Sequence, residues 1–168
     1  MQTATYEKMT QPFREQPKLA KSVHTTNKIL AGLVFLAYPL LLGYLLWARE
    51  RTLYLSIVVP LDGFIIVSFM RRIINRPRPY EKFGFSPAIP KDTKGRSFPS
   101  RHVFSAAVIA VTFLVQGEPV LVGTGVFLLL CALMLGVLRV LSGVHYISDV
   151  LGALVCAGIG WASYCILL

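Results

Sequence analysis

Long apolar runs separated by short polar connections cover most of this chain. Five runs occupy residues 28–47, 52–70, about 102–116, 119 to about 141, and 145–168. An α-helix rises 1.5 Å per residue, so runs of about 15–25 residues suit a crossing of roughly 30 Å of bilayer hydrocarbon. The third run is short and leaves little room for tilt. The pattern predicts an all-α, polytopic membrane helix bundle with about five transmembrane helices.

Residues 1–27 differ from the rest because they are polar and basic. Their lysines and arginines are interspersed with prolines and glutamines, unlike the charged, apolar and cleavage regions of a signal peptide. We expect this tail to be an interfacial segment on the membrane surface. Residues 28–168 are expected to form one transmembrane domain, because the apolar sequence shows no break that would divide it.

Composition agrees with a bilayer environment. The chain is 55% hydrophobic and only 15% charged, whereas about a quarter of the residues in a soluble domain are charged. Cys131, Cys156 and Cys165 are odd in number and fall within apolar runs, which argues against a disulfide framework. We interpret them as packing or membrane-facing residues.

The positive charge is concentrated in one connection. The chain has a formal net charge of +9, and residues 71–101 contain nine Lys/Arg against two acidic residues. Such a loop can simply attract anionic lipid head groups, at about 1 kcal/mol per basic residue. Binding of nucleic acid is disfavoured, because no basic helix with interleaved stacking aromatics lies outside the apolar runs.

Alternation of the five runs through the bilayer places two polar connections on one membrane face. The second run ends at residue 70 and the third begins near 102, while the fourth ends near 141 and the fifth begins at 145. Loop 71–101 and turn 141–144 are therefore expected to meet. The opposite face carries the short connections around residues 49–51 and 117–119, with little charge.

The shared face collects arginines, two histidines and a carboxylate. Arg71 and Arg78 are seven residues apart, and His145 and Asp149 are at i and i+4, so each pair lies on one helical face. Ionisable residues are costly within a membrane and usually functional. Asp62, about 13 Å along its helix from Arg71, is too distant to join them; it either stabilises a helix break or lines a path for lipid.

These residue types point to phosphoryl transfer. Guanidinium groups match phosphate oxygens in a forked geometry, and two histidines can supply a nucleophile and a proton donor. The carboxylate of Asp149 can orient His145 through its far ring nitrogen. We expect no metal and no cofactor. The arginines can supply the positive charge that magnesium supplies in other phosphoryl-transfer enzymes, and the sequence has no carboxylate cluster that would hold such an ion.

Three motifs closely resemble the signature of the type 2 phosphatidic acid phosphatase (PAP2) superfamily. They cover residues 71–149 and read Arg71-x6-Arg78-Pro79, Pro99-Ser100-x-His102 and Arg139-x5-His145-x3-Asp149. The resemblance implies that His145 is the nucleophile that becomes phosphohistidine, that Asp149 orients it, and that His102 is the general acid. It also implies a phosphate-binding set comprising Arg71, Arg78, Ser100, Arg101 and Arg139.

The sequence departs from the family pattern at several points. Arg71 stands where lysine is usual, and Leu138 where serine is frequent. Arg101 replaces the usual glycine, so it either contacts phosphate or a head group, or it points into the loop. Many relatives have six spans rather than five. The small chain and its membrane spans argue against the vanadium haloperoxidase branch of the superfamily.

The resemblance predicts an integral membrane phosphatase that hydrolyses a lipid phosphomonoester or diphosphate. Phosphatidate, phosphatidylglycerol phosphate and polyprenyl phosphate or diphosphate all remain candidate substrates. The alternative is a catalytically idle lipid-phosphate-binding or scaffold protein, which would need neither His145 nor Asp149. The excess of Lys/Arg on the site face indicates a cytoplasmic orientation by the positive-inside rule, although many bacterial relatives are expected to face outward.

Overall fold

The computed structural model describes residues 3–91 and 93–168. The chain is 78% helical, and the described residues form no strand. The predicted all-α bundle is therefore confirmed. The helices in chain order are α1 (Thr3–Glu15), α2 (Pro17–Trp47), α3 (Leu53–Ile74), α4 (Pro79–Phe83), α5 (Arg101–Leu114), α6 (Pro119–Leu141) and α7 (Ile147–Leu167).

Four of these helices, α2, α3, α6 and α7, are long and apolar enough to cross a membrane. The third predicted span, already short in the sequence, corresponds to α5, which has 14 residues and a length of only about 21 Å. It nevertheless joins the two ends of the bundle. Near its start Pro99 accepts from Arg71 at the end of α3, and after its end Gln116 accepts from Thr52 at 2.7 Å, before α3 begins.

Helix α5 forms the centre of the bundle. Ten of its residues are buried and they cover every side of the helix, as expected for a helix that is apolar all round. Small residues allow α6 to approach it closely: a Cβ at Gly125 would lie 2.9 Å from the Leu114 side chain. Large apolar side chains on α2, α3, α6 and α7 are exposed instead, which suits contact with lipid.

A proline within α3 is accommodated by a neighbouring helix. Pro60 has no N–H to donate to the carbonyl of Ser56. The hydroxyl of Tyr38 on α2 donates to that carbonyl at 2.8 Å, so the freed backbone acceptor is satisfied within the bundle. The helix therefore continues past Pro60 to the arginines at its end.

The N-terminal segment is helical, and α2 extends beyond the first apolar run. This helix begins at Pro17, because proline is compatible with a first helical turn, and the mostly polar residues 18–27 continue it. Helix α1 packs against the bundle through the buried side chains of Tyr6 and Thr10. The guanidinium of Arg14 lies 3.9 Å from the centre of the Phe85 ring.

Candidate active site

The polar connections meet at one end of the bundle around a cavity of about 190 Å³. The loops after α3 and before α5 line it together with the ends of α5 and α6 and the turn before α7. Six of the eight sequence-predicted site residues contribute to its wall: Arg71, Arg78, Arg101, His102, Arg139 and His145. The other two, Ser100 and Asp149, are fully buried behind it.

Backbone carbonyls of the loop before α5 position Arg71 and Arg78. Nη1 of Arg71, in the last turn of α3, donates to the carbonyls of Ser97 at 3.2 Å and Pro99. Asn75 then adopts a left-handed conformation with φ 40° and ends the helix. Arg78 follows in extended backbone, and its Nε donates to the Gly95 carbonyl at 3.1 Å. Both guanidiniums are thereby fixed at the cavity.

His145 is held by a carboxylate on one ring nitrogen and approaches an arginine with the other. Its Nδ1 lies 3.2 Å from Oδ2 of Asp149, and its Nε2 lies 3.4 Å from Nη1 of Arg78. We assign the ring proton to Nδ1, because the carboxylate accepts there. The lone pair of Nε2 then lies on the cavity side, where it faces the Nη1 donor of Arg78.

Asp149 is itself held in place by several donors. Its Oδ2 accepts from the backbone N–H of Tyr146 at 3.0 Å, which closes a capping box at the start of α7, and from the hydroxyl of Ser97. Its Oδ1 accepts from Nη1 of Arg76 at 2.8 Å. The carboxylate has no exposed surface, so these donors offset the cost of burying its charge.

Ser97 and Arg76 are site residues that the sequence prediction missed. Arg76 lies two residues before Arg78 in a proline-rich stretch, and Ser97 two residues before the motif that begins at Pro99. Their proximity to those motifs was the available signal. No periodicity in the loop indicates that they reach Asp149. Lys91, Thr93 and Arg96 also line the cavity and were not predicted as site residues.

Three buried polar atoms around the site have no hydrogen-bond partner among the described residues: Nε of Arg71, Nε of Arg139 and Oγ of Ser100. Buried polar groups are nearly always paired. Two of the three are cationic donors that border the cavity, and Ser100 is the N-cap residue of α5. Their arrangement suits an anion with several oxygen atoms.

Arg101 and His102 occupy the first turn of α5. The guanidinium of Arg101 is exposed, lies 5.2 Å from the centre of the Phe64 ring and borders the cavity. The side chain of Arg101 thus borders the same space as Arg71, Arg78 and Arg139. His102 is half-buried at the cavity wall.

The electrostatic environment keeps His145 neutral. Burial lowers its pKa to about 4, and Arg78 and Arg139 act in the same direction, whereas the hydrogen bond to Asp149 opposes them. Burial together with the charge of Arg78 also lowers the pKa of Lys91. At neutral pH the imidazole of His145 is therefore unprotonated at Nε2, as a nucleophile must be.

Fold and site together define an integral membrane protein with a cationic, histidine-containing pocket at one end of its bundle. The chain belongs to the PAP2 superfamily, which residues 51–168 match. No curated protein sequence matches the chain.

Two solved structures share this fold. One is Aquifex aeolicus LpxE, with 22% identity, a TM-score of 0.73, and coverage of 97% of this chain and 93% of that one. The other is a transmembrane PAP2 type phosphatidylglycerolphosphate phosphatase from Bacillus subtilis, also at 22% identity and a TM-score of 0.73, with 98% and 84% coverage. Both alignments extend over α1 and α2, which lie outside the family match.

Proposed function

We propose that this protein is an integral membrane lipid phosphatase that works through a phosphohistidine on His145. The observation that carries the proposal is the placement of His145 between Asp149 and Arg78, with Nε2 bordering a cavity lined by cations. The nitrogen lone pair and the phosphate-binding groups are thus oriented toward the same space. Family membership supports the same class of reaction.

The geometry suggests a two-step reaction. Phosphate oxygens bind Arg71, Arg78 and Arg139, and Nε2 of His145 forms a bond to phosphorus while the bond from phosphorus to the lipid oxygen breaks. His102 gives its proton to that departing oxygen. Water then attacks phosphorus, the N–P bond breaks, and neutral His102 accepts a proton from the water. Throughout, Asp149 accepts a hydrogen bond from Nδ1–H of His145 and stabilises positive charge on the ring.

Negative charge on the substrate assists the proton donor. His102 shares its cavity with arginines and Lys91, which oppose a further positive charge. A bound phosphate brings opposite charge within a few ångströms and favours the protonated imidazole. The acid is therefore generated where its proton is needed.

An apolar cavity beside the site supports a lipid substrate. It has a volume of about 570 Å³ and lies between α3, α5 and α7. Met70 and Phe98, which line it, precede the site residues Arg71 and Pro99 by one position each. A lipid whose phosphate occupies the cationic pocket would thus place its hydrocarbon chains among these apolar side chains. Asp62 also lines this cavity, in agreement with a position along the lipid path.

Phosphatidate, phosphatidylglycerol phosphate and polyprenyl phosphate or diphosphate all fit this arrangement. A catalytically idle lipid-phosphate-binding protein is the competing proposal. It would need the arginines, but it would gain nothing from a neutral imidazole held by a buried carboxylate. The hydrogen bonds from Ser97, Arg76 and Tyr146 fix the carboxylate that orients this imidazole. They therefore favour the enzyme over the idle binding protein.

We also propose that the reaction is metal-independent. The described residues contain no group of three or more His, Cys, Asp or Glu with the spacing of a metal site. Arginines supply the positive charge that a magnesium ion supplies in other phosphoryl-transfer enzymes.

The decisive experiment measures phosphate release from a panel of pure lipid phosphates in detergent, with and without EDTA. We expect release from at least one lipid, full activity in EDTA and inhibition by vanadate, which mimics pentacoordinate phosphorus. Loss in EDTA that magnesium restores would contradict the arginine clamp. Tight lipid binding without phosphate release from any lipid would support the idle binding protein.

We further propose that the active-site end faces the cytoplasm. The tail, Lys28, the 71–101 loop and Arg139 carry 15 of the 17 Lys/Arg, whereas only Arg49 and Arg51 lie at the opposite end. A cysteine replacing the exposed Lys94 should react with a membrane-impermeant thiol reagent only after cell lysis, with the unmodified chain as background. Rapid labelling in intact cells would place this end outside.

A further inference from the structure

A third cavity, of about 400 Å³, lies beside the start of α7. Residues from α1, α4, the loop after α3 and the first turns of α7 line it. No histidine is among its lining residues, so it lacks the nucleophile and the acid of the catalytic pocket. The third cavity and the catalytic pocket are connected through Asp149, whose Oδ2 lies by His145 and whose Oδ1 binds Arg76 in the wall of the third cavity.

Arg76 presents an anion-binding group to this third cavity. Its Nη1 donates to Oγ of Ser148 at 2.7 Å and to Oδ1 of Asp149 at 2.8 Å. A guanidinium has five N–H donors, and Nε and Nη2 make no hydrogen bond within the described residues. The guanidinium also lies 4.0 Å from the centre of the Tyr146 ring, which fixes its plane.

Lys82 adds a second positive charge in the same cavity wall. Its side chain is exposed, and its Nζ lies 5.9 Å from the centre of the Phe83 ring. Its acidic neighbour Glu81 accepts from the backbone N–H of Gly95 at 2.7 Å. Among the described residues no salt bridge involves Lys82. An anion in the cavity would therefore meet two cations.

The rest of the cavity wall suits an amphiphile rather than a free ion. Ile147 and Leu151, four residues apart on α7, are 43% and 57% exposed and lie at the lipid-facing side of the bundle. The rings of Tyr6, Phe83 and Tyr146 form an aromatic wall at the level where α7 begins. Aromatic rings at this level are typical of the membrane interface, and basic pockets between helices there bind lipid head groups.

We propose that this cavity binds an anionic phospholipid that is not the substrate. The phosphodiester would bind Arg76 and Lys82, and a chain would lie along Ile147 and Leu151. Because Arg76 also binds Asp149, the bound head group would share a guanidinium with the carboxylate that orients His145. The lipid composition of the bilayer would thereby affect the catalytic pocket through a single side chain, that of Arg76.

Retention of lipid by the full-length protein tests the proposal. Native mass spectrometry in detergent would count bound phosphatidylglycerol on the wild type, on Lys82→Gln and on Lys94→Gln. The matched control replaces an exposed lysine that does not line the cavity. We expect affinity about fivefold weaker for Lys82→Gln, the effect of one basic residue near a membrane surface, and no change for Lys94→Gln.

Two further arms identify the source of the bound phosphate. Neutral phosphatidylcholine should be retained less than phosphatidylglycerol by the wild type, and soluble glycerophosphoglycerol should not displace the bound lipid. Displacement by the soluble head group would show that the chains contribute nothing, against the proposed contact with Ile147 and Leu151. Equal retention by the wild type and Lys82→Gln, or equal loss in Lys94→Gln, would overturn the proposal in favour of diffuse electrostatic attraction.

Discussion

The two histidines of the site lie in surroundings that differ in how firmly they hold the side chain. His145 is buried, and both ring nitrogens lie near side chains that are themselves hydrogen-bonded. His102 is half-buried in the first turn of α5, and its side chain makes no hydrogen bond with any other described residue. The difference fits their proposed roles. A nucleophile needs a fixed tautomer and direction of attack, whereas a proton donor must follow the position of the departing oxygen.

The largest expected effect is that of His145→Ala. It removes the atom that bonds to phosphorus, so activity should fall by at least about 10⁴-fold, as when other enzymatic nucleophiles are deleted. Rapid acid-free quenching with labelled substrate should trap phosphate on the wild type and none on the variant. Label that persists on His145→Ala would show that another residue is the nucleophile.

His102→Ala should cost less and depend on the leaving group. It removes only a proton donor, a contribution of about 10² to 10⁴ in rate. An aryl phosphate departs without protonation, so it should restore much of the activity of this variant and little of that of His145→Ala. This prediction is checked by measuring the rates of both variants on a lipid phosphate and on an aryl phosphate. Equal rescue of the two would contradict the separate roles.

The structure explains which parts of this comparison the sequence could predict. Spacing within helices and alternation of spans were enough to bring Arg71, Arg78, Arg139 and both histidines to one cavity. Contacts made by irregular backbone were not predictable in this way. Ser97 reaches Asp149 because of the path of the loop before α5, and no periodic pattern records such a path.

The same limit applies to the fold. Apolar runs located α3, α6 and α7, because burial in lipid requires an unbroken apolar stretch. The start of α2 could not be predicted from the first apolar run, because residues 17–27 are mostly polar and yet continue the helix. The short length of α5 was predicted from its apolar run, and ten buried residues show that this helix is packed within protein rather than exposed to the bilayer.

Asp149→Asn tests how firmly His145 is held, through the ionisation of the imidazole. Burial lowers the pKa of His145 to about 4, and the hydrogen bond to the Asp149 carboxylate opposes this shift. In the wild type the imidazole should remain neutral until the pH falls to about 4, rather than to the ordinary value of about 6.5. Without the carboxylate the pKa should fall further, and activity should decrease to a level between those of the two histidine variants.

Histidine-selective NMR titration in detergent measures this pKa directly and avoids the ionisation of the substrate. The chain has three histidines, so His24→Gln and His102→Gln assign the signal of His145. A midpoint near 6.5 in the wild type, or a higher midpoint in Asp149→Asn, would contradict the proposed environment.

The smallest effect should come from Tyr6→Phe, which tests whether α1 helps to hold His145 in position. The hydroxyl of Tyr6 donates to the carbonyl of His145 at 3.1 Å and lies 3.4 Å from that of Val140. Burial raises the pKa of this phenol, so it stays a donor at any physiological pH. Tyr6 lies outside the residues that match the family. It belongs to α1, and its hydrogen bond supports the turn that contains His145.

Removing one buried donor typically costs about 1 kcal/mol, which corresponds to a few-fold change in rate if the turn shifts. We expect kcat of Tyr6→Phe to fall by about two- to tenfold with little change in KM, because the arginines that bind phosphate are untouched. Tyr54→Phe is the matched control, since Tyr54 is 69% exposed on α3 and should behave as wild type. A change confined to KM, or thermal destabilisation without any change in kcat, would mean that α1 supports the fold but not the position of the nucleophile.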